Sequence, residues 1–439
     1  MRTTYIHKPE SVRIFNKQLL NWSLKYDDVV WLDSNKYNQQ YSSYDAILAI
    51  DAFTGIKTDY IDAFNKLKEY QSVTKDWLFG YLTYDVKNAV EDLKSNNFDR
   101  LQFPDVYFFQ PKKLFLIKGN SVEIKYLKFV DDEIQNDIKA IEKTLDNCHL
   151  ERDTQSKSKC SREDIKIKLR IHKDDYFKKL DSMLTHIHRG DIYEANFCQE
   201  FYAENTVINP LETYQKLNTI SKPPFATFLK INDKYLMSAS PERYLKKEGN
   251  TIISQPIKGT AKRSNNKVED DELKYNLSQD EKERSENIMI VDLVRNDLSQ
   301  TATKGSVTVK ELCKVYSFPQ VHQMISTVTS NVIENTHPID VLRTTFPMGS
   351  MTGAPKISAM KIIEELEETK RGLYSGTVGY FTPDNDFDFN VVIRSILYNQ
   401  TNQYVSYSVG GAITAKSVPL KEYEECLVKA KAMREVLEN

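Results

Sequence analysis

Short apolar runs separated by polar connectors dominate the first 130 residues. Ala46–Ile50, Trp77–Tyr81, Val106–Phe109 and Leu114–Ile117 are four or five residues long and rich in aromatic and branched side chains. Such runs predict buried strands. From Asp131 to about Asp164 charged and small polar residues take over, including Gln155-Ser-Lys-Ser-Lys159, which predicts an exposed helix followed by a loop. Beyond that, apolar residues recur at helical spacing near 174–189, 210–219, 279–295, 355–369 and 420–437. Strand-like runs lie between them at Tyr374–Phe381, Phe387–Leu397 and Tyr404–Ile413, with Pro383-Asp-Asn-Asp386 supplying a turn. Connections this short require antiparallel neighbours, because parallel strands need a long crossover. The pattern predicts an α+β fold with large antiparallel β-sheets. It divides the chain into a strand-rich subregion at 1–130, a polar helix-and-loop connector at 131–165, and a mixed region at 166–439.

The 439 residues carry a formal net charge of -2. That balance argues against broad electrostatic binding of nucleic acid or an anionic membrane. No run of 18 apolar residues occurs, and Met1-Arg-Thr-Thr-Tyr-Ile-His7 lacks the apolar core of a secretory signal. Cys148, Cys160, Cys198, Cys313 and Cys426 are dispersed without a C-x-x-C pair. This fits reduced thiols in a cytoplasmic protein better than a disulfide framework or a zinc site.

Chemistry concentrates in the last 250 residues. Lys258, in Ser254-Gln-Pro-Ile-Lys-Gly-Thr260, ends a β-rich run. Its amine becomes a nucleophile if burial or a neighbouring cation lowers its pKa; a lysine in an exposed turn reads the same way. Ser278-Gln-Asp-Glu281 resembles a capping box, and Glu283 and Glu286 follow on one helix face. A second helix begins near Pro419 and places Glu422, Glu425 and Lys429 on one side, with Tyr423, Leu427 and Ala430 on the other. Four carboxylates on two helices either hold a hard divalent cation such as Mg²⁺ or face solvent separately. Met348-Gly-Ser-Met-Thr-Gly-Ala-Pro-Lys356 is a small-residue loop entering a helix, where free N–H groups and the helix dipole favour an anion. Tyr374, Arg394 and the backbone at Gly410-Gly411 supply further donors. Glu242, in Ser240-Pro-Glu-Arg243, and His322, in Val321-His-Gln-Met324, complete the acid–base candidates.

Taken in order, these segments resemble the chorismate-utilising enzyme family, which includes anthranilate, aminodeoxychorismate, isochorismate and salicylate synthases. The carrying stretches are Gly190-Asp-Ile-Tyr-Glu-Ala-Asn196, Ser240–Arg243, Pro256–Thr260, Ser285–Asp297, Gly349–Lys356, and Gly410–Thr414 through Lys429. The resemblance covers about 170–435. It implies a sandwich of antiparallel sheets with helices outside, to which residues 1–130 also belong, and makes 166–439 the chorismate-binding catalytic region.

Within the family, lysine in Pro-Ile-Lys-Gly-Thr resembles the branch that aminates chorismate at C4; anthranilate synthases carry alanine there. The resemblance implies that Lys258 attacks C2 and that Glu242 protonates the departing C4 hydroxyl. Ammonia then displaces the lysine to give 4-amino-4-deoxychorismate, the precursor of 4-aminobenzoate in folate synthesis. By the same match Glu286 and Glu425 would hold Mg²⁺ directly, with Glu283 and Glu422 acting through water. Thr352, Tyr374, Arg394, Gly410, Gly411 and Lys429 would bind the substrate, and His322 would have a positional role. At Glu194 the aminating members usually have glutamine, and the isochorismate and salicylate synthases have lysine. No cysteine lies in a glutaminase-type Gly-x-Cys-x-Gly setting, so ammonia would come from a separate glutaminase subunit or from solution. The other expectations are anthranilate synthase chemistry and a catalytically silent subunit that binds a glutaminase.

Overall fold

A computed structural model describes residues 2–37, 41–144, 165–318 and 321–438. The loop expected at 150–164, with Cys148 and Cys160, lies outside the described residues. The fold is α+β, as the pattern predicts, and every pairing between its strands is antiparallel.

Two strands of 13 residues, Ala46–Thr58 and Val106–Lys118, pair with each other along their length and belong to both layers. The first half of Val106–Lys118 pairs with Leu78–Leu82 and the second half with Ser121–Leu127. One layer runs from Ala46–Thr58 through Asp28–Asp33, Phe225–Ile231, Lys234–Ser240, Ser395–Asn399 and Tyr404–Thr414 to Glu194–Ala203. The other runs from Leu78–Leu82 through Thr377–Phe381, Phe387–Asn390, Arg243–Glu248 and Thr251–Gln255 to Val321–Asn331. Ile257–Lys262 and Thr308–Ser317 flank that last strand. The run read as Val106–Phe109 and Leu114–Ile117 is therefore one strand, because Gln110–Lys113 stay extended where the strand passes between layers.

Alternation along the strands creates two cores. In the first layer Val30, Ile47, Ala49, Leu229, Leu236 and Leu397 point at the second layer, joining Phe381, Phe389, Leu245 and Val328. Their neighbours Val29, Trp31, Leu48, Phe228, Met237 and Ile396 point outward beneath helices. Those helices include Lys173–Arg189, Pro210–Ser221 and Pro419–Glu438, which contribute Leu180, Leu217 and Met433. Helix Glu281–Ser299 instead lays Ile290, Val291 and Leu298 against the inter-sheet core.

Local boundaries differ from the sequence pattern in places. Helix Glu281–Ser299 is capped by Asp280, whose carboxylate accepts from the Glu283 N–H at 2.9 Å, while Ser278 belongs to a preceding helix, Lys267–Gln279. The capping-box reading thus misplaced the cap by two residues. On Pro419–Glu438 the buried stripe is Tyr423, Cys426 and Ala430; Leu427 is exposed. Phe387–Leu397 is two strands, Phe387–Asn390 and Ser395–Asn399, broken where Arg394 adopts φ +52.

Candidate active site

The two layers bring their chemistry together at one end. Lys258 sits in Ile257–Lys262 and Glu194 opens Glu194–Ala203. Lys258 Nζ approaches Glu194 Oε1 at 3.5 Å, with the lysine side chain 13% exposed and the glutamate 2%. Gly259 follows at φ +89, and a Cβ there would press on the Glu283 side chain at 3.2 Å. Glycine therefore lets helix Glu281–Ser299 lie directly over the lysine's strand.

Lys258 is surrounded by acid. Burial pulls its pKa down, but Glu194, Glu286, Glu242 and Glu283 outweigh burial and leave it above the ordinary lysine value. The expected lowering does not occur in these surroundings, because the neighbours are anions rather than cations. Glu242 is buried, and burial pushes its pKa up to about 7, against partial relief from the Ser350 hydroxyl, Lys258 and the Ile257 backbone. With Ser350, Thr345 and Asp297 it lines a small cavity.

One glutamate of each pair shares a single lysine. Lys282 Nζ lies 3.8 Å from Glu286 and 3.7 Å from Glu422, bridging the two helices. Glu425 is half-exposed and pairs with Lys429 at 2.6 Å; burial raises its pKa, but Lys429 outweighs burial and leaves it lowered. Glu286 is buried, and its Oε1 has no hydrogen-bond partner. Among the described residues no three His, Cys, Asp or Glu side chains close into a metal cage. The set nevertheless fits a hard cation that keeps water and substrate oxygens: a buried orphan carboxylate oxygen faces a gap already bridged by one ammonium.

Gly410 and Gly411 lie on Tyr404–Thr414, opposite Cys198 and Phe197. A Cβ on Gly410 would meet Cys198 Sγ and the Phe197 carbonyl at 2.5 Å, so only glycine fits that pairing. Lys429 donates to the Gly410 carbonyl at 2.9 Å, and Gly411 faces Glu422. Tyr374 is buried, with its hydroxyl 3.7 Å from Cys198 Sγ. The Arg394 side chain makes no hydrogen bond or ion pair among the described residues, and burial lowers its pKa. A half-buried guanidinium whose donors have no partner is a seat for an anion.

The loop expected to bind an anion is spent differently. The Met351 and Thr352 N–H groups donate to Met348 and Gly349 carbonyls, and the Thr352 hydroxyl donates to the same two oxygens. Gly353–Ala354 pairs with Ala195 and Glu194, and Lys356 pairs with Asp297 at 2.6 Å. His322 is also apart from the lysine's contacts. Its Nε2 lies 3.0 Å from Asp270, which Arg263 grips, and its Nδ1 lies 2.9 Å from the Ser317 hydroxyl.

Sequence reading missed Arg371. It is buried, donates twice to Glu367 at 2.7 and 2.9 Å, and also donates to Met351 and Asn196 carbonyls at 2.6 and 2.7 Å. Glu367 in turn accepts from the Cys198 N–H at 2.9 Å. One side chain thus fastens the Gly349–Ala354 segment to the strand carrying Glu194. The available signal was the Glu367/Arg371 spacing of four on a helical pattern.

The chain belongs to the chorismate binding enzyme family, whose model matches residues 27–435. It is 34% identical over 402 residues to the probable chloroplastic aminodeoxychorismate synthase of Oryza sativa subsp. japonica, covering 84% of this chain and 44% of that one. It is 32% identical over 367 residues to aminodeoxychorismate synthase component 1 of Bacillus subtilis, covering 82% and 76%. The chain therefore spans under half the length of the rice relative and about three quarters of the bacterial one. The crystal structure of anthranilate synthase component I from Streptococcus pneumoniae superposes with a TM-score of 0.75 at 25% identity, covering 91% of this chain and 95% of that one.

Proposed function

We propose that this protein aminates chorismate at C4, making 4-amino-4-deoxychorismate with ammonia delivered by a separate glutaminase subunit. The observation that carries the reading is the pairing of a largely buried amine, Lys258, with a buried acid, Glu242, whose pKa of about 7 keeps a transferable proton at neutral pH. The names of the rice and Bacillus relatives support it, and "component 1" in the latter supports a second component.

Lys258 Nζ attacks C2 while Glu242 gives its proton to the C4 hydroxyl, which leaves as water. Ammonia then adds at C4 and the lysine amine departs. Arg394, Lys429 and the Gly410–Gly411 backbone hold the substrate carboxylates, and Tyr374 and Thr352 shape the floor beneath the ring. His322 holds the Ala261 end of the lysine's strand in place. Glu286 and Glu425, with Glu283 and Glu422 through water, would hold Mg²⁺, which when bound neutralises charge between a ring carboxylate and the acidic cluster. No helix among the described residues is long and apolar enough to cross a membrane; we place the reaction in the cytoplasm, without nucleic acid or membrane.

The test is purified protein with chorismate, Mg²⁺ and ammonium at mildly alkaline pH, with products separated by mass and absorbance and Lys258→Ala run beside it. 4-Amino-4-deoxychorismate from the wild type, sharply reduced in the variant, is the expected result. Anthranilate, isochorismate or salicylate from the wild type overturns it, and no turnover points to the silent subunit.

A further inference from the structure

We propose that Glu194 is the proton acceptor that converts the Lys258 ammonium into the attacking amine. The inference rests on the reading of Lys258 as nucleophile and adds the group that activates it.

The geometry singles out Glu194. Strand pairing fixes it from both sides, opposite Ala354 on one neighbour and Thr414 on the other. Its backbone cannot move without breaking two ladders. Its side chain is almost fully buried; Oε1 lies 3.5 Å from Lys258 Nζ, and Oε2 has no hydrogen-bond partner. The lysine makes no closer polar contact among the described residues. Carboxylates from other elements also face that ammonium: Glu242 before the Arg243–Glu248 strand, Glu283 and Glu286 on one helix, and Glu425 on another. Glu242 is occupied as the proton donor to the leaving group, and the remaining three compose the cation cluster. Glu194 is the one carboxylate near the amine with no other task.

Chemistry supplies the reason for such a partner. An ammonium has no lone pair, so the resting Lys258 cannot attack. Expulsion of water by a bound ring disfavours a charged pair relative to the neutral amine and acid. The proton moves from Nζ to Glu194 Oε1. The freed lone pair forms the Nζ–C2 bond, the ring electrons shift, and the C4–O bond breaks as the hydroxyl takes the Glu242 proton. When ammonia adds at C4, the Nζ–C2 bond breaks and the amine leaves neutral. Glu194 returns its proton to Lys258, and the new C4 ammonium reprotonates Glu242.

Because the proton never leaves the pair, activation of Lys258 adds no pH dependence of its own, and wild-type kcat follows only the proton on Glu242, falling as pH rises past about 7. The experiment compares wild type, Glu194→Gln and Glu194→Asp in two ways. With chorismate and saturating ammonia, Glu194→Gln is expected to lose about 100-fold in kcat at pH 7. KM for chorismate should change little. The ratio of this variant's rate to that of the wild type should rise about tenfold per pH unit, since solvent must now take the lysine proton, and Glu194→Asp should flatten that ratio in part. Without substrate, the pH dependence of Lys258 acetylation by acetic anhydride, followed by peptide mass, reports the amine directly. Its midpoint should fall in Glu194→Gln, because an adjacent anion has gone, and should match the pH at which that rate ratio levels off. A wild-type kcat in Glu194→Gln, with a ratio to the wild type that does not change with pH, overturns the proposal, as does an unchanged acetylation midpoint. If the wild type makes no C4-aminated product, the amination reading fails, and the acetylation midpoints still decide whether Glu194 governs this lysine.

Discussion

Two buried ion pairs meet at the Glu194–Ala203 strand, and they are built to opposite specifications. Arg371 and Glu367 satisfy one another completely: both carboxylate oxygens are taken, and the guanidinium also holds two carbonyls and packs 4.4 Å over the Tyr84 ring. Lys258 and Glu194 stand 3.5 Å apart, with one carboxylate oxygen left bare. A fully satisfied buried pair holds structure, and removing one partner strands a charge. A loose pair keeps its bonding capacity for something that arrives. Buried charge by itself is not a mark of an active site; unfinished hydrogen bonding is the more telling sign.

The sharpest way to break this contrast is to delete the cation from each pair. Lys258→Met should lower product formation at least about a thousandfold and leave urea unfolding within about 1 kcal/mol of wild type. Arg371→Met should cost about 3–5 kcal/mol in the same unfolding measurement. Equal losses of stability would erase the distinction.

Next in size is Glu242→Gln, expected to reduce kcat about 100-fold or more. It should also change the pH dependence of stability. Glu242 has an ordinary value of 4.5 and a folded value of about 7, so between these pH values the folded protein binds more protons than the unfolded one. Stability therefore falls as pH rises from about 4.5 to about 7, with a slope approaching roughly 1.4 kcal/mol for each pH unit crossed. In the glutamine variant denaturation curves taken across that range should show a smaller slope, the remainder coming from Glu286, Asp33 and Asp297, which burial also raises.

Arg394→Met should raise KM for chorismate about tenfold with a smaller effect on kcat, as read from initial rates, because the arginine's unused donors await a carboxylate. The smallest expected effect is at Lys282. Its ammonium sits between Glu286 and Glu422, where a divalent cation would compete with it. Lys282→Ala should tighten Mg²⁺ binding severalfold by calorimetry without altering the unfolding midpoint in chelator.

The glutamate pairs were legible because helical spacing alone places Glu283 with Glu286 and Glu422 with Glu425. What brings the two helices together was not, since Lys282 looks like any surface lysine. Strand identity was clear where an apolar run was short and bounded, as at Ala46–Ile50. It blurred where both faces are buried: Val30 and Trp31 enter different cores, so no polar alternation marks the Asp28–Asp33 strand. The break at Arg394 left no trace in composition, since a positive φ at arginine has no sequence signature comparable to glycine. Glu194 was visible as an unusual residue, but its meaning depends on Lys258, 64 positions away along the chain, and only strand pairing puts them together.

The strand Leu78–Leu82 waits for Thr377–Phe381, about 300 residues later, before its second edge is covered. On a ribosome adding about 5–20 residues per second, that edge stays open for at least about 15 seconds. The nascent chain therefore carries an unpaired Leu-Phe-Gly-Tyr-Leu edge through most of its own synthesis. Assembly of this fold belongs to the end of translation, and its yield in a cell should follow the supply of holdase chaperones more closely than the stability of the finished enzyme.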